Sequence, residues 1–301
     1  MTLNIAKDTP NQNFNSASLK RNPRSPRTLF GLIMTGIAGL FTILAIIPLL
    51  IILGYLLNKG ISSLRLEVFT ELPPPPLVEG GGFGNAILGT VIMVGIGAII
   101  SVPLGVMAAI YLSEFSKGKL AYWIRFATNV LSGIPSIIIG VFAYTVVVLT
   151  TRSYSAWAGG FALAILMLPI IVRTTDEALK LVPQEVRQAS IGVGANDYQT
   201  VLQVVLPAAI PAIITGVTLA VARAAGETAP LLFTALFTQF WPNWDELLVE
   251  PTASLAVLVY NFAIVPFQNQ QELAWAAAFI LILLVLATSI ISRIATANRT
   301  Y

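Results

Sequence analysis

Long stretches of this chain contain no Asp, Glu, Lys or Arg, and that spacing of charge limits the fold more than any other feature. A helix needs about 20 mostly apolar residues to cross a hydrocarbon layer roughly 30 Å thick. Stretches of that length run from Thr28 to Asn58, Gly80 to Ser113, Phe126 to Thr151, Ser153 to Val172, about Ala208 to Gln239, and Leu273 to Ser292. Only the fifth is interrupted, by one Arg and one Glu. Apolar residues lie on every face, so periodicity cannot choose a lipid-facing side, but a backbone in hydrocarbon must bond within its own segment, which selects helix. Of the 301 residues, 56% are hydrophobic and 10% charged, against about 25% charged in an average soluble domain. The predicted fold is all-α: a multi-pass membrane protein with six transmembrane helices.

Pro251 to Gln271 is also uncharged, but its apolar part, about Ala253 to Phe267, is short and ends among Gln and Asn. It reads as a re-entrant or an interfacial segment, and the residues leave both open. Counting it as a seventh span would put the chain ends on opposite sides, so the basic residues arbitrate. With six spans and a cytoplasmic N-terminus, Lys7, Lys20, Arg21, Arg24, Arg27, Lys117, Lys119, Arg125, Arg173, Lys180, Arg187, Arg293 and Arg299 lie inside. Only Lys59, Arg65 and Arg152 lie outside, with Arg223 inside a span. The positive-inside rule therefore predicts that both termini are cytoplasmic.

Residues 1–27 read as a polar cytoplasmic tail and residues 28–301 as one transmembrane domain. The first apolar run exceeds a signal-peptide core of about 7 to 15 residues and is expected to remain as an anchor. Pro73 to Pro76 followed by Gly80 to Gly82 predicts a stiff linker with a flexible joint. Gly95, Gly97, Gly105 and Gly140 suit close helix packing, and Ile134-Pro135-Ser136 predicts a kink. Arg173 reads as a phospholipid or interface contact.

There is no cysteine and no histidine, which removes disulfides, thiolate or imidazole metal sites, Cys nucleophiles and His-based acid–base chemistry. No catalytic group, metal site or cofactor is predicted. No G-x-x-x-x-G-K-[ST] occurs, and neither Gly80 to Gly84 nor Gly192-Val193-Gly194 extends into G-x-G-x-x-G, so any ATP is handled by another chain. The basic residues flank apolar spans, so topology explains them and no nucleic-acid partner is expected. Asn298-Arg299-Thr300 matches the glycosylation sequon, but on the predicted cytoplasmic side it is a chance match.

The loop at about residues 174–207 is longer than neighbouring spans require. Pro183 suits a first helical turn, Glu185 favours its positive end, and Gly194 is a left-handed stop, giving one helix over Pro183 to Val193. Asn196 can cap a second helix, with Gln199 completing a capping box and Tyr198, Val201, Leu202 and Val205 on one face. Two short helices with a sharp turn form either a knob for a partner's groove or a structured loop; composition and spacing leave both open.

Arg223 and Glu227 are four residues apart in the fifth span, on one face of a helix and able to neutralise each other. A lone Arg at mid-membrane costs about 2.5 to 3.5 kcal/mol. With the span starting near Ala208, Arg223 lies roughly 22 Å along it, toward the outside, and Pro230 bends or ends the helix. Such a pair either holds this helix against a neighbour or lines a passage, where the Arg fork receives an oxyanion and the Glu keeps it oriented when empty.

Gln188-Ala189-Ser190, then Gly194, Val204, Leu206 and Pro207, resemble the E-A-A-x3-G-x9-I-x-L-P signature of ABC importer permeases, with spacing intact. The stretch Val182 to Ala212 resembles the phosphate-importing branch. So do Ile134-Pro135-Ser136, Leu168-Pro169 to Glu177, and Arg223 to Pro230, and together they cover most of Gly80 to Pro230. The signature's leading acid is Gln188 here and its third position Ser190, so an ion pair from the loop would have to come from Glu185 or Arg187.

The resemblance implies a six-span permease subunit of the inner (plasma) membrane, with residues 174–207 holding a coupling helix. It also implies a second permease subunit, two ATP-binding cassette ATPase subunits and an external phosphate-binding protein, and it points to the same Arg223 and Glu227. Physics supplies only "anion", so a permease for molybdate or sulfate is the nearest alternative. A stand-alone secondary transporter or channel is a more distant one.

Overall fold

The computed structural model of the protein describes residues 25–116, 118–246 and 249–297, with side chains as far as residue 294. Lys7, Lys20, Arg21 and Arg24 of the predicted tail, Lys117, and the sequon at Asn298 with Arg299 lie outside the described residues. The chain divides into two compact units, Met1–Tyr55 and Leu56–Tyr301. The first holds most of α1 (Pro26–Ser62), a 37-residue helix. Its large side chains, such as Phe30, Ile33, Phe41, Leu49 and Ile51, are exposed, the surface that lipid chains solvate.

The second unit continues with the one-turn α2 (Glu67–Thr70) and α3 (Gly84–Ile110), which runs on through a π-turn, Tyr111–Phe115. Next come α4 (Lys119–Gly133), α5 (Ser136–Ala143), a π-turn over Tyr144–Val148 and α6 (Leu149–Thr151). After α7 (Ala156–Lys180) follow α8 (Gln184–Gly192), α9 (Asp197–Thr200), a π-turn over Val201–Val205 and α10 (Leu206–Ala225). The remainder is α11 (Ala229–Thr234), α12 (Leu255–Ala263) and α13 (Gln268–Ala297).

Among the described residues, five helical stretches are long and apolar enough to cross a membrane: Pro26–Ser62, Gly84–Phe115, Ala156–Lys180, Asp197–Ala225 and Gln268–Ile294. Lys119–Gly133 with Ser136–Thr151 makes a sixth if a pair bent by 104° is one span. The predicted kink at Ile134-Pro135-Ser136 is thus a complete break. Proline disfavours the helical region for the residue before it, and Ile134 is extended, with φ −74° and ψ 130°.

α7 forms the centre of the second unit. Leu163, Met167 and Ile171 are buried in a core that includes Met93 of α3, Ile139 of α5, Ala220 and Ala224 of α10, Leu231 of α11 and Val257 of α12. Small residues bring the backbones together, as expected where lipid gives helices little hydrophobic reason to associate. A Cβ on Gly105 would lie 2.7 Å from Ile171, and one on Gly140 would lie 2.6 Å from the Cα of Pro230. Gly97 abuts Leu163 and Gly160, whereas Gly95 faces open space, so the fourth of the predicted packing glycines makes no such contact.

Two expectations are refined. Of the re-entrant and interfacial readings of Pro251 to Gln271, the interfacial one falls: α12 is a buried half-length helix whose Leu255, Leu258 and Phe262 pack with Ala274, Ala277 and Ile280 of α13. Ser254 accepts from the Val257 amide at 3.3 Å, and the Leu255 amide donates to the Thr90 hydroxyl of α3 at 2.8 Å, so the inserted helix start is satisfied. The Pro73–Pro76 stretch is likewise no free linker. Pro73 and Pro74 are buried, the Gln270 amide donates to the Pro74 carbonyl at 3.3 Å, and the Asn269 amide donates to the Val78 carbonyl at 2.7 Å. Sequence shows the stiffness of the prolines but not the amides of α13 that hold them.

A Cβ on Gly89 would lie 2.0 Å from the Ala253 carbonyl oxygen, at the entry to α12. Gly89→Ala is therefore expected to lower the stability of the detergent-purified protein by about 1–3 kcal/mol, as overpacking does. Gly95→Ala should be neutral or stabilising by up to about 1 kcal/mol. Intrinsic-fluorescence melting curves of the two variants check this, and equal midpoints would contradict the packing described.

Candidate functional site

The segment from Leu181 to Val205 forms an elbow between α7 and α10. α7 continues past the predicted end of its span at Val172 to Lys180, so the connecting backbone is shorter than the sequence implied. α8 ends in a Schellman motif: the Ala195 amide donates to the Ser190 carbonyl at 3.2 Å and the Gly194 amide to the Ile191 carbonyl at 2.9 Å. Gly194 has φ +95°, the left-handed conformation that a glycine adopts without a Cβ penalty. Asn196 and Gln199 form the predicted capping box, the Gln199 backbone amide donating to Asn196 Oδ1 at 2.9 Å and the Asn196 backbone amide donating to Gln199 Oε1 at 3.0 Å.

The second predicted short helix is not separate. α9 passes through the Val201–Val205 π-turn into α10, making one helical stretch over Asp197–Ala225. The Leu206 amide reaches back to the Val201 carbonyl, and the wider turn precedes Pro207, which has no N–H to donate. The π-turn also splits the predicted apolar face: Val201 and Val205 are buried, while Tyr198 and Leu202 are exposed.

Glu185, Gln188 and Ala189 are exposed on the elbow, beside exposed Val186, Ile191 and Val193. Ser190 turns inward, its hydroxyl 3.0 Å from that of Thr200. Leu206 packs against the buried cluster of Leu179, Val182, Val205 and Ala209, and Pro207 is exposed in the first turn of α10. Arg187 points into the protein. Its guanidinium donates to Glu114 and, at 2.7 Å, to the Leu179 carbonyl. Of the two residues considered for an ion pair to a partner, only Glu185 is presented outward.

The arrangement of Arg223 and Glu227 departs from a pair on one helical face. α10 ends at Ala225, and Glu227 lies in the break before α11. The Gly226 amide donates to the Arg223 carbonyl at 3.1 Å and the Glu227 amide to the Ala224 carbonyl at 3.2 Å, a tightened final turn. Across it Arg223 Nε and Glu227 Oε1 are 3.6 Å apart, with the side chains 60% and 16% exposed. The helix thus stops at Ala225, short of Pro230, which instead lies in the first turn of α11, a position that proline tolerates. The contact of Pro230 with Gly140 sets the break of the fifth span against the half-helix that follows the break of the third.

Charges near the elbow form two further groups, joining Arg125, Lys180 and Arg187 to acids that the sequence does not single out. Asp176, buried in α7, receives Arg125 of α4 at 3.4 Å and also Lys180. Glu114 receives Arg187. Position at the edge of an apolar run was the only sequence signal for either, and it does not reveal a partner 51 or 73 residues away. Arg173 pairs with Glu177 at 3.1 Å on an exposed face of α7.

Residues 101–299 match the family model described as binding-protein-dependent transport system inner membrane component. The chain is 43% identical over 263 residues to the phosphate transport system permease protein PstA of Haemophilus influenzae, covering 87% of this chain and 92% of that protein. It is also 43% identical over 243 residues to the PstA of Yersinia pestis, covering 80% and 81%. Its fold is similar to a chain of a bacterial alginate ABC transporter solved in complex with an alginate pentasaccharide-bound periplasmic protein. The TM-score is 0.62 at 12% identity, over 91% of this chain and 97% of that one.

A Cβ at position 194 meets nothing within 4 Å, so only its backbone conformation opposes a side chain there. Gly194→Val is expected to destabilise the elbow's stop by about 1–2 kcal/mol. It should speed amide hydrogen exchange in the peptide covering residues 190–200. Gly192→Val, at a position without a positive φ, should leave that peptide's exchange nearly unchanged; mass spectrometry of the pair makes the comparison.

Proposed function

The chain belongs to the family of binding-protein-dependent transport system inner membrane components, and from that premise we propose that it is the permease subunit of an ATP-driven phosphate importer. It is a multi-pass membrane protein that provides half of the pathway and carries out no hydrolysis itself. The observation that carries this reading is the 43% identity to a phosphate transport permease over 87% of the chain, in a chain that exposes an arginine at a break between helices.

In this reading the partner across the pathway is a second permease subunit, two ATP-binding cassette subunits bind from the cytoplasm, and an external phosphate-binding protein delivers the substrate. Both chain ends and the elbow face the cytoplasm, where the basic residues concentrate. The elbow is the coupling helix. Glu185, Gln188, Ala189, Val186 and Ile191 form its outward surface, while Ser190, Gly194, Leu206 and Pro207 set its shape. A knob that mixes exposed apolar side chains with Glu185 and Gln188 fits a cleft in a moving partner and passes a rigid-body displacement to α7 and α10.

Arg223 is the substrate contact. Discontinuous helices supply ion and substrate sites in transporters because irregular backbone is tolerated only where protein or a cavity surrounds it. A guanidinium presents a planar fork that matches phosphate oxygens bidentately. Glu227 holds that fork when no substrate is present and gives it up to the anion, so the exchange of one acceptor for another changes the free energy only modestly and the anion can leave.

Arg223→Lys keeps the charge but not the fork. In proteoliposomes containing the assembled importer, radiolabelled phosphate uptake by this variant should fall by at least about tenfold. Uptake at the parental rate would reduce the pair to scaffolding. Parental uptake that is suppressed equally by excess sulfate or molybdate would change the substrate from phosphate to a broader oxyanion class.

A further inference from the structure

Glu114 and Arg187 form an ion pair with both side chains largely withdrawn from solvent, 9% and 16% exposed. One partner ends α3 in the Tyr111–Phe115 π-turn and the other lies in α8. Chain connectivity does not join them, since the elbow is continuous only with α7 and α10. Next to Glu114, Phe115 stacks on Tyr198 of α9 with ring centroids 4.9 Å apart and planes at 28°. The end of α3 therefore grips both arms of the elbow, α8 through the ion pair and α9 through the rings. The Ser190–Thr200 hydroxyl contact ties those arms to each other.

Close packing explains the attachment only in part: Val106 and Ile110 of α3 pack against Leu179, Val182 and Val205, but the pair itself borders open space. A cavity of about 640 Å³ lies between the two, lined by Ser113, Glu114 and Phe115 on one side and by Pro183, Gln188 and Ile191 among others on the elbow. Burying a carboxylate and a guanidinium carries a desolvation penalty that apolar residues of similar volume would avoid, and its best-attested return is a unique geometry. Here Arg187 divides its donors between Glu114 and the Leu179 carbonyl. One side chain thereby holds the α7–α8 turn and the end of α3 in a single register.

We propose that Glu114 is a positioning residue that latches α3 to the elbow, so that a displacement of the elbow carries α3 along with α7 and α10. This rests on the reading of the elbow as the coupling helix. With the latch closed, α3 and α7 move as one body, consistent with the contact of Gly105 on Ile171 along their shared length. With the latch open, the ring stack and the packing of Val106 and Ile110 on the cluster of Leu179, Val182 and Val205 remain, with no directional polar tie between them.

The chain has no native cysteine, so spin labels can be placed at Met107→Cys on α3 and Val193→Cys on the elbow, both exposed positions. In the complete importer in lipid nanodiscs, the interlabel distance should stay within about 2 Å with and without ATP, the scale of helix adjustments that leave an interface intact. Adding Glu114→Gln should let that distance shift by about 5 Å or more on nucleotide binding, the scale of one element slipping a turn past another. It should also reduce phosphate moved per ATP hydrolysed at least about tenfold while ATP hydrolysis continues. A nucleotide-dependent change of about 5 Å with Glu114 intact overturns the latch. So does a Glu114→Gln complex whose distance and transport ratio both match the parent. If the parent complex hydrolyses ATP but moves no phosphate, the substrate assignment fails while the distance result still decides the latch.

Discussion

Every other feature of this molecule answers to one constraint: a backbone inside hydrocarbon has to satisfy its own N–H and C=O groups. Helices meet it for free along their length and fail to meet it at their ends. Interruptions are therefore affordable only where other parts of the protein cover them. The break at Ile134–Pro135 is followed by a half-helix whose Gly140 sits against Pro230, immediately after the break at Gly226 to Thr228. The buried start of α12 is capped by Ser254 and anchored on Thr90 of α3. Two of these interruptions are thus brought together through Gly140 and Pro230, although Pro135 and Gly226 themselves are exposed, and the Arg223–Glu227 pair occupies one of them.

That gathering also explains which parts of the architecture could be read from residue order. Uncharged runs located the apolar helices because the length needed to cross a bilayer is a property of the segment alone. Local capping chemistry was equally legible: Gly194, Asn196 and Gln199 do what their side chains permit within a few residues of themselves. The break at Pro135 followed from the proline. The end of α10 at Ala225 did not, because Pro230 was the visible breaker and Gly226 is an ordinary residue in an apolar run. The burial of α12 and of Pro73–Pro74 was not legible either, since it depends on Thr90, Asn269 and Gln270 meeting them from distant segments.

The site was legible at the level of residue type and only partly at the level of direction. A helical period placed Tyr198, Val201, Leu202 and Val205 together, and the π-turn over Val201–Val205 separated them by inserting an extra residue into the repeat. Arg187 lies on the elbow as expected, yet it faces Glu114. The family signature's acid is Gln188 in this chain, and with Arg187 occupied internally, Glu185 is the acid that α8 exposes. The face of α8 that is exposed thus carries one acid, Glu185, beside Gln188 and the apolar Val186 and Ile191.

The helical stretch Asp197–Ala225 joins the elbow to the pair. Its 29 residues span roughly 43 Å at 1.5 Å per residue, with the capping box at one end and Arg223 in the last turn at the other. Glu227 does not belong to it. That carboxylate lies beyond the helix terminus, on the segment that leads to Pro230 and its contact with Gly140. The Glu227 amide still bonds to the Ala224 carbonyl at 3.2 Å, so the two backbones stay joined at the helix end, while the carboxylate belongs to the segment that leads into α11. In the reading proposed above, a stroke of the elbow reaches Arg223 along this helix, and the 3.6 Å separation from Glu227 lies where the regular helix has just ended.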